Sequence, residues 1–343
     1  MKTEAAILVE QKSPLVVDEV EIPALGFGQV LVEVEVSRIC GSQLGEIEGV
    51  KGSDRFLPHL LGHEGGGIVL EIGAEVRHVK KGDRVVMHWR PGKGIEARPS
   101  QYKWGSRTVN AGFVTTFNRY AVVSENRLTA VPADTDFDTC ALLADTVTTG
   151  FGVINNDARV KIGESVVVIG CGGIGLGVVL GAKLAGAYPI IAVDIHDHKL
   201  EKARTQGATH CINSGQQDFA ETVRQILGGG QPDVVVDGTG RPDILEKGFA
   251  LAGEQSRCIM VGVMPWDQKM SLNTLPLHFG KILAGSHGGG SQPHIEIPRY
   301  MRMMRAGSFD LSGFISHRFP LSQINEGIEK MKRGEVIHGV VDF

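Results

Sequence analysis

One stretch of this chain, residues 165–194, constrains its fold more than any other. The stretch opens with a β-branched run, Val166 to Ile169, of the kind that forms a buried parallel strand. Three glycines then follow at the spacing G-x-G-x-x-G: Gly170, Gly172 and Gly175. An amphipathic run comes next, and a second strand-like segment ends at Asp194. The stretch therefore predicts a strand, a tight turn, a helix and a second strand.

The glycine turn has the mechanics of a dinucleotide site. Gly170 permits the turn, Gly172 lets the main chain approach a pyrophosphate, and Gly175 lets the helix pack closely on the strand. The N-terminus of that helix then faces the phosphates. A carboxylate at Asp194 accepts hydrogen bonds from ribose hydroxyls and repels a 2′-phosphate, which predicts NAD rather than NADP. The predicted cofactor site comprises Gly170, Gly172, Gly173, Ile174, Gly175 and Asp194.

Two other interpretations of this stretch are weaker. A chain with 46 glycines can contain G-x-G-x-x-G by chance, and the uncharged run Val166–Ala182 could suggest a membrane span. The strand before the turn, the helix after it and the acid beyond favour dinucleotide binding. The run is also shorter than the ~20 residues that a span needs. We therefore expect no membrane segment here.

Length and composition bound the class of protein. A chain of 343 residues predicts two domains, and 42% apolar with 22% charged residues is typical of a globular protein. A net charge of -4 gives no general attraction to nucleic acid or anionic membrane, so neither is an expected partner. No secretory signal is evident, which predicts a cytoplasmic protein. Five scattered cysteines do not suggest a disulfide framework, so a special cysteine is expected to be a metal ligand or a nucleophile.

The remaining pattern predicts an α/β protein. Six short strands with turn punctuation predict a β-rich first domain, a small and partly open barrel: Ala6–Val9, Leu15–Val20, Val30–Val36, Gly67–Ile72, Arg84–Met87 and Asn118–Val123. A helical segment, Ala141–Asn155, precedes the glycine turn. Beyond Asp194, strands alternate with helices, which predicts a doubly wound parallel sheet of six strands.

Three residues outside the glycine turn carry the chemistry of a metal site: Cys40, His63 and Asp145. A thiolate and an imidazole suit Zn²⁺, and a catalytic zinc takes three protein ligands and leaves one position open. Each residue also has a structural explanation. Cys40 could be a small buried apolar residue, His63 a histidine in a turn, and Asp145 a helix N-cap. From the residues alone, both the metal site and these structural roles stay open.

Five motifs nevertheless occur in a familiar order along the chain: Cys40-Gly-Ser, Gly62-His63-Glu64-Gly-Gly-Gly, Val79-Lys-Lys-Gly-Asp-Arg-Val, Thr148-Thr149-Gly150 and Gly170-Cys-Gly-Gly-Ile-Gly. The set resembles the zinc-dependent alcohol dehydrogenases of the medium-chain dehydrogenase/reductase superfamily, which include threonine, sorbitol and secondary-alcohol dehydrogenases. The resemblance implies a GroES-like catalytic domain over residues 1–146 and 287–343. It implies a Rossmann NAD-binding domain over residues 147–286.

The resemblance also implies a site and an activity. One zinc per subunit would be held by Cys40, His63 and Asp145, with Glu64 as a fourth or alternating ligand. Ser42 would pass on the alcohol proton, and Thr149 would lie beside the nicotinamide. The implied cofactor site extends to Val261, Val263, Ser286 and His338. The implied reaction moves a hydride between NAD and a small-molecule alcohol or ketone in a homodimer or homotetramer.

Three departures from the family pattern limit this transfer. Gly45 stands where many relatives complete a proton relay with histidine, so Glu46, a ribose hydroxyl or water would take that role. The stretch from Trp89 to Thr115 lacks the four cysteines that bind a structural zinc in many relatives. His338 stands where some relatives place an arginine against the pyrophosphate, so it is either a cofactor contact or a surface histidine.

The stretch from His88 to Arg107 suggests the kind of substrate. It carries five basic residues against the single acid Glu96, interleaved with aromatic rings: Arg90, Lys93, Arg98, Lys103 and Arg107, with Trp89, Tyr102 and Trp104. Arginine binds carboxylates and phosphates bidentately, and aromatic rings offer flat surfaces to a sugar. We expect a polar secondary alcohol, such as a polyol, a sugar or an anionic sugar derivative, with Arg90, Trp89 and Gln43 as its contacts. A solvated basic loop or a subunit contact is the alternative.

Two rival functions follow from the same residues. One is a zinc-free reductase of enones or quinones from the same superfamily, and the other is a non-catalytic NAD-binding sensor on the same fold. The presence of Cys40, His63 and Asp145 together favours the zinc enzyme. Metal analysis separates the first rival from it, and turnover on a broad alcohol panel separates the second.

Overall fold

The computed structural model describes all 343 residues and divides them into two compact units. The first unit combines Met1–Asp145 with Gln292–Phe343, and the second is Thr146–Ser291. The chain thus leaves the first unit between residues 145 and 146 and returns between residues 291 and 292, where the sequence predicted 146/147 and 286/287.

The helices and strands follow in chain order. The first part of the first unit contains β1 (Lys2–Leu8), β2 (Val16–Glu21), β3 (Gln29–Ile39), α1 (Gly41–Ile47), β4 (His59–Leu60), β5 (Glu64–Ile72), β6 (Arg84–His88), β7 (Gln101–Trp104), β8 (Arg107–Asn110), β9 (Tyr120–Ser124), β10 (Leu128–Val131) and α2 (Phe137–Leu142). The second unit contains α3 (Thr148–Gly152), β11 (Val166–Ile169), α4 (Gly173–Leu184), β12 (Ile190–Asp194), α5 (Asp197–Gln206), β13 (His210–Asn213), α6 (Phe219–Ile226), β14 (Val234–Asp237), α7 (Pro242–Leu251), β15 (Arg257–Met260) and β16 (Ile282–Gly285). The first unit is completed by α8 (Pro293–Arg305), β17 (His317–Pro320), α9 (Ile324–Lys332) and β18 (Gly339–Asp342).

The first unit contains two sheets rather than the one partly open barrel that the sequence predicted. Strands β1, β2, β7, β8 and β4 form a closed barrel. A seven-stranded sheet has the order β10-β6-β5-β3-β18-β17, with β9 also paired to β3. The hairpin β7–β8 was not predicted, because only Tyr102 and Val109 in it are buried and its other side chains are polar or partly exposed.

A run of glycines at the start of β5 lets this sheet pack closely. A Cβ atom on Gly66 would lie 2.6 Å from the Cβ of Cys140 in α2, and one on Gly67 would lie 2.3 Å from the carbonyl oxygen of Glu33 in β3. Real Cβ contacts are never this short, so only glycine allows α2 and β3 to approach β5 this closely. The packing fixes the position of Glu64, the first residue of β5.

The second unit is the doubly wound parallel sheet that the sequence predicted. Its strand order is β13-β12-β11-β14-β15-β16, and every neighbouring pair is parallel. Counted from β11, this is the order 3-2-1-4-5-6 of dinucleotide-binding sheets. Residues Val166–Ile169 of the central strand are buried, as expected of a strand covered on both faces.

The predicted helix Ala141–Asn155 extends over Phe137–Asp157 and is irregular. A π-helical turn, Leu143–Val147, separates α2 from α3, and a second one, Val153–Asp157, follows α3. This segment is long and apolar enough to cross a membrane by length and composition alone, and 89% of its most apolar window is buried inside the protein. Such burial is what a core helix shows.

Candidate active site

Four potential metal ligands meet in the first unit. Cys40 directly follows β3, His63 and Glu64 lie at the start of β5, and Asp145 lies in the π-helical turn after α2. Their ligand atoms, one sulfur, one imidazole nitrogen and two carboxylate oxygens, all lie within 4.8 Å of one another. Cys40, Glu64 and Asp145 are buried, and His63 is partly buried.

Local backbone geometry explains how these side chains are presented. Gly62 has a φ of +87°, and a Cβ there would lie 2.4 Å from Oγ1 of Thr116, so the turn that delivers His63 and Glu64 to β5 requires glycine. Asp145 is delivered by the π-helical turn, a feature that often occurs at functional sites. Asp145 is not a helix N-cap, since Asp136 caps α2 and Val147 precedes α3.

The cluster fits a zinc ion. Cys40 Sγ lies 3.8 Å from Asp145 Oδ2, and His63 Nε2 lies 3.8 Å from Glu64 Oε1. Ligand atoms around tetrahedral zinc are separated by about 3.3 to 3.8 Å, as its bond lengths of about 2.0 to 2.3 Å require. Glu64 Oε1 is buried and has no hydrogen-bond partner in the protein, so a cation bound beside it would offset the cost of its burial. A thiolate, an imidazole and carboxylates are the donors that zinc takes.

The electrostatics of the cluster also favour a cation. Burial raises the pKa of Glu64 well above its ordinary value; the positive charge of Arg38 lowers it in part, and Cys40 and Asp145 raise it further. Three acidic groups thus share one buried site. A divalent ion is the largest local charge at such a site and reverses this effect, because it stabilises the ionised form of every ligand.

Two residues outside the cluster hold its ligands in place. Gln43 accepts a hydrogen bond at Oε1 from the backbone N–H of Cys40, at 2.9 Å, and its Nε2 is hydrogen-bonded to His63 Nδ1. Gln43 is fully buried and supports the ligands, and its predicted contact with the substrate stays a prediction. Trp89 donates its indole N–H to Asp145 Oδ1 at 2.9 Å. Hydrogen bonds of this kind, from residues that do not touch the metal, orient its ligands.

The predicted relay residue lies at the cluster. Ser42 is partly buried, and its Oγ lies 3.4 Å from His63 Nε2. Gly45 leaves no side chain beyond it, and the carboxylate of Glu46 lies 4.0 Å from Lys51 Nζ at a partly exposed position. The relay beyond Ser42 stays a prediction.

Only the beginning of the basic stretch contacts the cluster. The guanidinium carbon of Arg90 lies 5.6 Å from the centroid of the Trp89 ring, and Trp89 contacts Asp145. The other basic residues are exposed, and Trp104 in β7 donates to Asp18 at 2.8 Å. Tyr102, another aromatic residue of the stretch, is fully buried in the barrel. Trp89 and Arg90 as substrate contacts stay a prediction.

His338 is neither exposed nor part of the unit that carries the glycine turn. It lies just before β18 in the first unit and is fully buried, so a surface histidine is excluded. Its Nδ1 lies 3.2 Å from an Nη of Arg38, and its ring centroid lies 5.4 Å from that of Phe314. These contacts place His338 in the packing behind Glu64, whose Oε2 accepts from Arg38 Nε at 2.7 Å.

The glycine turn of the second unit has the geometry that its spacing predicts. Gly170 has a φ of +91°, which favours glycine, and a Cβ on Gly175 would lie 1.9 Å from the carbonyl oxygen of Gly170. A Cβ on Gly172 would meet no protein atom within 4 Å, so this residue borders open space at the N-terminus of α4. Such a cradle fits the pyrophosphate of a dinucleotide.

Asp194 ends β12 beside this turn. Its Oδ2 accepts from the backbone N–H of Cys171 at 2.8 Å, and its Oδ1 accepts from that of His196 at 2.9 Å. Each carboxylate oxygen has a second lone pair for a ribose hydroxyl. The other predicted cofactor residues of this unit follow the C-terminal ends of β15 and β16 or lie in α3: Val261, Val263, Ser286 and Thr149. In a doubly wound sheet the cofactor binds at this edge, but their contacts with it stay a prediction.

The chain is similar to known dehydrogenases over its whole length. Residues 26–133 match the family model of the alcohol dehydrogenase GroES-like domain, and residues 173–306 match that of the zinc-binding dehydrogenases. Alcohol dehydrogenase class-3 of Cereibacter sphaeroides is 31% identical, with 100% of both chains covered. S-(hydroxymethyl)glutathione dehydrogenase of Paracoccus denitrificans is 31% identical over 99% of this chain and 100% of that one. The crystal structure of benzyl alcohol dehydrogenase from Acinetobacter calcoaceticus has a TM-score of 0.89 at 26% identity, covering 100% of this chain and 99% of that one.

Proposed function

Because this chain belongs to the zinc-dependent alcohol dehydrogenases of the medium-chain dehydrogenase/reductase superfamily, we propose that it transfers a hydride between a polar secondary alcohol and NAD. The observation that carries the proposal is the buried cluster of Cys40, His63, Glu64 and Asp145, whose donor set suits a catalytic zinc. When bound, zinc supplies Lewis acidity to the alcohol oxygen, and NAD accepts the hydride.

The residues of the chain then have distinct tasks. Cys40, His63 and Asp145 hold the zinc, and Gln43 and Trp89 fix the orientation of these ligands. Ser42, beside His63, would accept the proton of the alcohol at Oγ and donate its own hydroxyl proton to a ribose hydroxyl or to water. In the second unit, the glycine turn and the N-terminus of α4 bind the pyrophosphate, and Asp194 binds the adenosine ribose.

The substrate is proposed to be polar and anionic, such as a phosphorylated or carboxylated sugar derivative. The support is Arg90, which is partly buried beside Trp89, while Trp89 is hydrogen-bonded to the predicted ligand Asp145. A guanidinium at this place can bind a carboxylate or phosphate bidentately, and the indole ring can pack against a sugar face. A simple aliphatic alcohol offers no anionic group to the guanidinium and no sugar face to the indole ring.

A panel of secondary alcohols, polyols, hydroxy acids and sugar phosphates tests this proposal. With NAD reduction as the readout, we expect anionic substrates to be preferred over neutral alcohols of matched skeleton. Arg90→Ala should lower kcat/KM for the anionic substrate by about 10- to 150-fold, which corresponds to ~1.5 to 3 kcal/mol for a lost charged hydrogen bond, and should spare the neutral one. Arg98→Ala, which removes an exposed arginine of the same stretch, is the matched control.

Two results would contradict the proposal of an anionic substrate: equal losses of kcat/KM on both substrates in Arg90→Ala, or a wild-type preference for simple aliphatic alcohols. Neither result would contradict the proposal that the protein is a zinc-dependent dehydrogenase. A protein that binds zinc and NAD but oxidises no member of the panel would favour a sensor. A preparation active without zinc would favour an enone or quinone reductase.

We also propose that the enzyme is a homodimer or homotetramer that assembles through the second unit. Strand β16 is the open edge of the six-stranded sheet, and its first residue, Ile282, is 49% exposed. Five large apolar side chains in the segment before it are also exposed: Val263, Trp266, Leu275, Leu277 and Phe279. An uncovered edge strand beside exposed apolar side chains is a surface that a second copy of the chain can pair with and cover.

Light scattering after size-exclusion chromatography tests the assembly. The wild-type mass should be two or four times that of the chain, and Phe279→Asp should shift the population toward smaller species, because a buried carboxylate opposes association. Ile162→Asp, at an apolar residue of the same unit that is 89% exposed, should leave the mass unchanged. A monomeric wild type would contradict the proposal.

A further inference from the structure

The first unit buries a cation that the proposed chemistry does not use. Arg38 lies in β3, two residues before Cys40, and is only 1% exposed. Burying a guanidinium is costly unless it is paired and hydrogen-bonded. A guanidinium stays protonated throughout the ordinary pH range, also when it is buried beside carboxylates. Arg38 is therefore a permanent positive charge behind the metal cluster.

The two partners of Arg38 lie on different elements. Arg38 Nε donates to Glu64 Oε2 at 2.7 Å, and an Nη lies 3.2 Å from Nδ1 of His338. His338 reaches this position because β18 pairs with β3, with Val340 opposite Arg38. The guanidinium is thus held between the C-terminal strand and the carboxylate of Glu64.

The contact with Arg38 decides where Glu64 points. With Oε2 bound to Arg38, Oε1 faces the cluster, 3.8 Å from His63 Nε2, and has no hydrogen-bond partner in the protein. The backbone of Glu64 is fixed separately, because its carbonyl oxygen accepts from the hydroxyls of Ser37 and Thr116. The side chain therefore has a single hydrogen-bonded restraint, and Arg38 supplies it.

The charges of the site also depend on Arg38. The ligands Cys40 and Asp145 are deprotonated, and the carboxylate of Glu64 beside them brings the negative charges around a divalent ion to three. The two positive charges of the ion and the one of Arg38 together balance these three negative charges, so the buried groups carry no net charge. Without Arg38, the carboxylate of Glu64 would be an unpaired buried anion, and the metal would be the nearest cation for it.

We propose that Arg38, held by His338, is a positioning residue that keeps Glu64 from occupying the fourth coordination position of the metal. Glu64 then balances charge at the edge of the cluster while that position stays open to an exogenous ligand. This inference rests on the proposed zinc centre.

Cobalt-substituted, full-length protein tests the inference by spectroscopy, since the visible bands of cobalt report its coordination geometry. Wild type should show bands that shift when imidazole, the probe ligand, is added. In Arg38→Met, Glu64 should bind the metal, so the bands should differ from wild type before imidazole and change little after it. Activity should fall by about 10- to 100-fold, as it does when other residues that hold metal ligands in place are lost.

Restoration by a second substitution separates positioning from general destabilisation. In the double variant Arg38→Met with Glu64→Gln, neither side chain is charged and no carboxylate at residue 64 can bind the metal. The cobalt bands and their response to imidazole should therefore be those of Glu64→Gln alone. Unchanged bands and imidazole response in Arg38→Met would overturn the inference. If Arg38→Met does not fold, Arg38→Lys decides instead: it keeps the charge but loses the planar donor fork, and the same change is expected in weaker form.

Metal analysis distinguishes a failure of the proposed zinc centre from a failure of this inference alone. A wild type without stoichiometric metal would remove the proposed function and this inference together. A wild type with one metal ion and unchanged variant spectra would remove the inference alone.

Discussion

A Cys40→Ala variant should lose its zinc and its turnover while NAD binding stays nearly intact. Cys40 supplies the only thiolate of the cluster, and thiolate is the strongest zinc ligand among the four. Its loss leaves an incomplete ligand set, and metal affinity falls with it. The glycine turn and Asp194 belong to the other unit, so the cofactor site keeps its residues. We expect zinc content to fall from about one per chain to near zero.

Metal analysis of the purified variant, together with calorimetric titration of NAD, measures both parts of this result. Cys140→Ala is the matched control, because Cys140 is also a buried free cysteine of the first unit but lies in α2, outside the cluster. That variant should keep its zinc. Stoichiometric zinc and normal turnover in Cys40→Ala would remove Cys40 from the metal site.

The cofactor unit was predictable because its signals are local. One stretch of sequence contains all of them: the strand Val166–Ile169, the glycine turn and Asp194. Each glycine of the turn is required for a steric reason that involves residues close to it in the chain. The short contact that a Cβ on Gly175 would make with Gly170 is such a reason. Local pattern and global fold agree here, and element boundaries differ from the predicted ones by only a few residues.

The metal cluster was only partly predictable. Cys40 and Asp145 are 105 residues apart, and no spacing rule brings them together, so their joint role came from the family resemblance. The π-helical turn that presents Asp145 has no sequence signal that we recognised. Residue types alone left a helix N-cap open as an explanation for Asp145.

The contact between Arg38 and His338 behind the cluster was not predicted, because it depends on the pairing of strands that are far apart in the sequence. Arg38 and His338 are 300 residues apart and meet only because β18 adds to β3. One signal was available: an arginine inside the otherwise apolar end of a strand, directly before Ile39 and Cys40, implies a buried partner. The hairpin β7–β8 was missed for the related reason that its strands are short and mostly polar.

An Asp194→Ser variant should bind NAD more weakly and shift its preference toward NADP. The substitution removes the carboxylate oxygens available to the ribose hydroxyls, and with them the repulsion of a 2′-phosphate. Hydrogen bonds to a charged group contribute about 1.5 to 3 kcal/mol, so the ratio of kcat/KM for NAD over NADP should fall by about 10- to 150-fold or more. Initial rates with both cofactors at saturating alcohol measure the ratio.

If Asp194 acts by contact with the ribose, a nearby acid should matter little. If the negative charge of the whole segment sets the preference, that acid should matter as much as Asp194. Asp197→Asn removes an exposed carboxylate in the first turn of α5, three residues from Asp194, and leaves the carboxylate at the end of β12 in place. If Asp194 acts by direct hydrogen bonds to the ribose, Asp197→Asn should change the cofactor ratio little, because an exposed charge is screened by solvent. Equal shifts in both variants would show that the field of the segment, not a ribose contact, sets the preference. A wild type that already uses NADP better than NAD would mean that Asp194, held by Cys171 and His196, does not face the ribose.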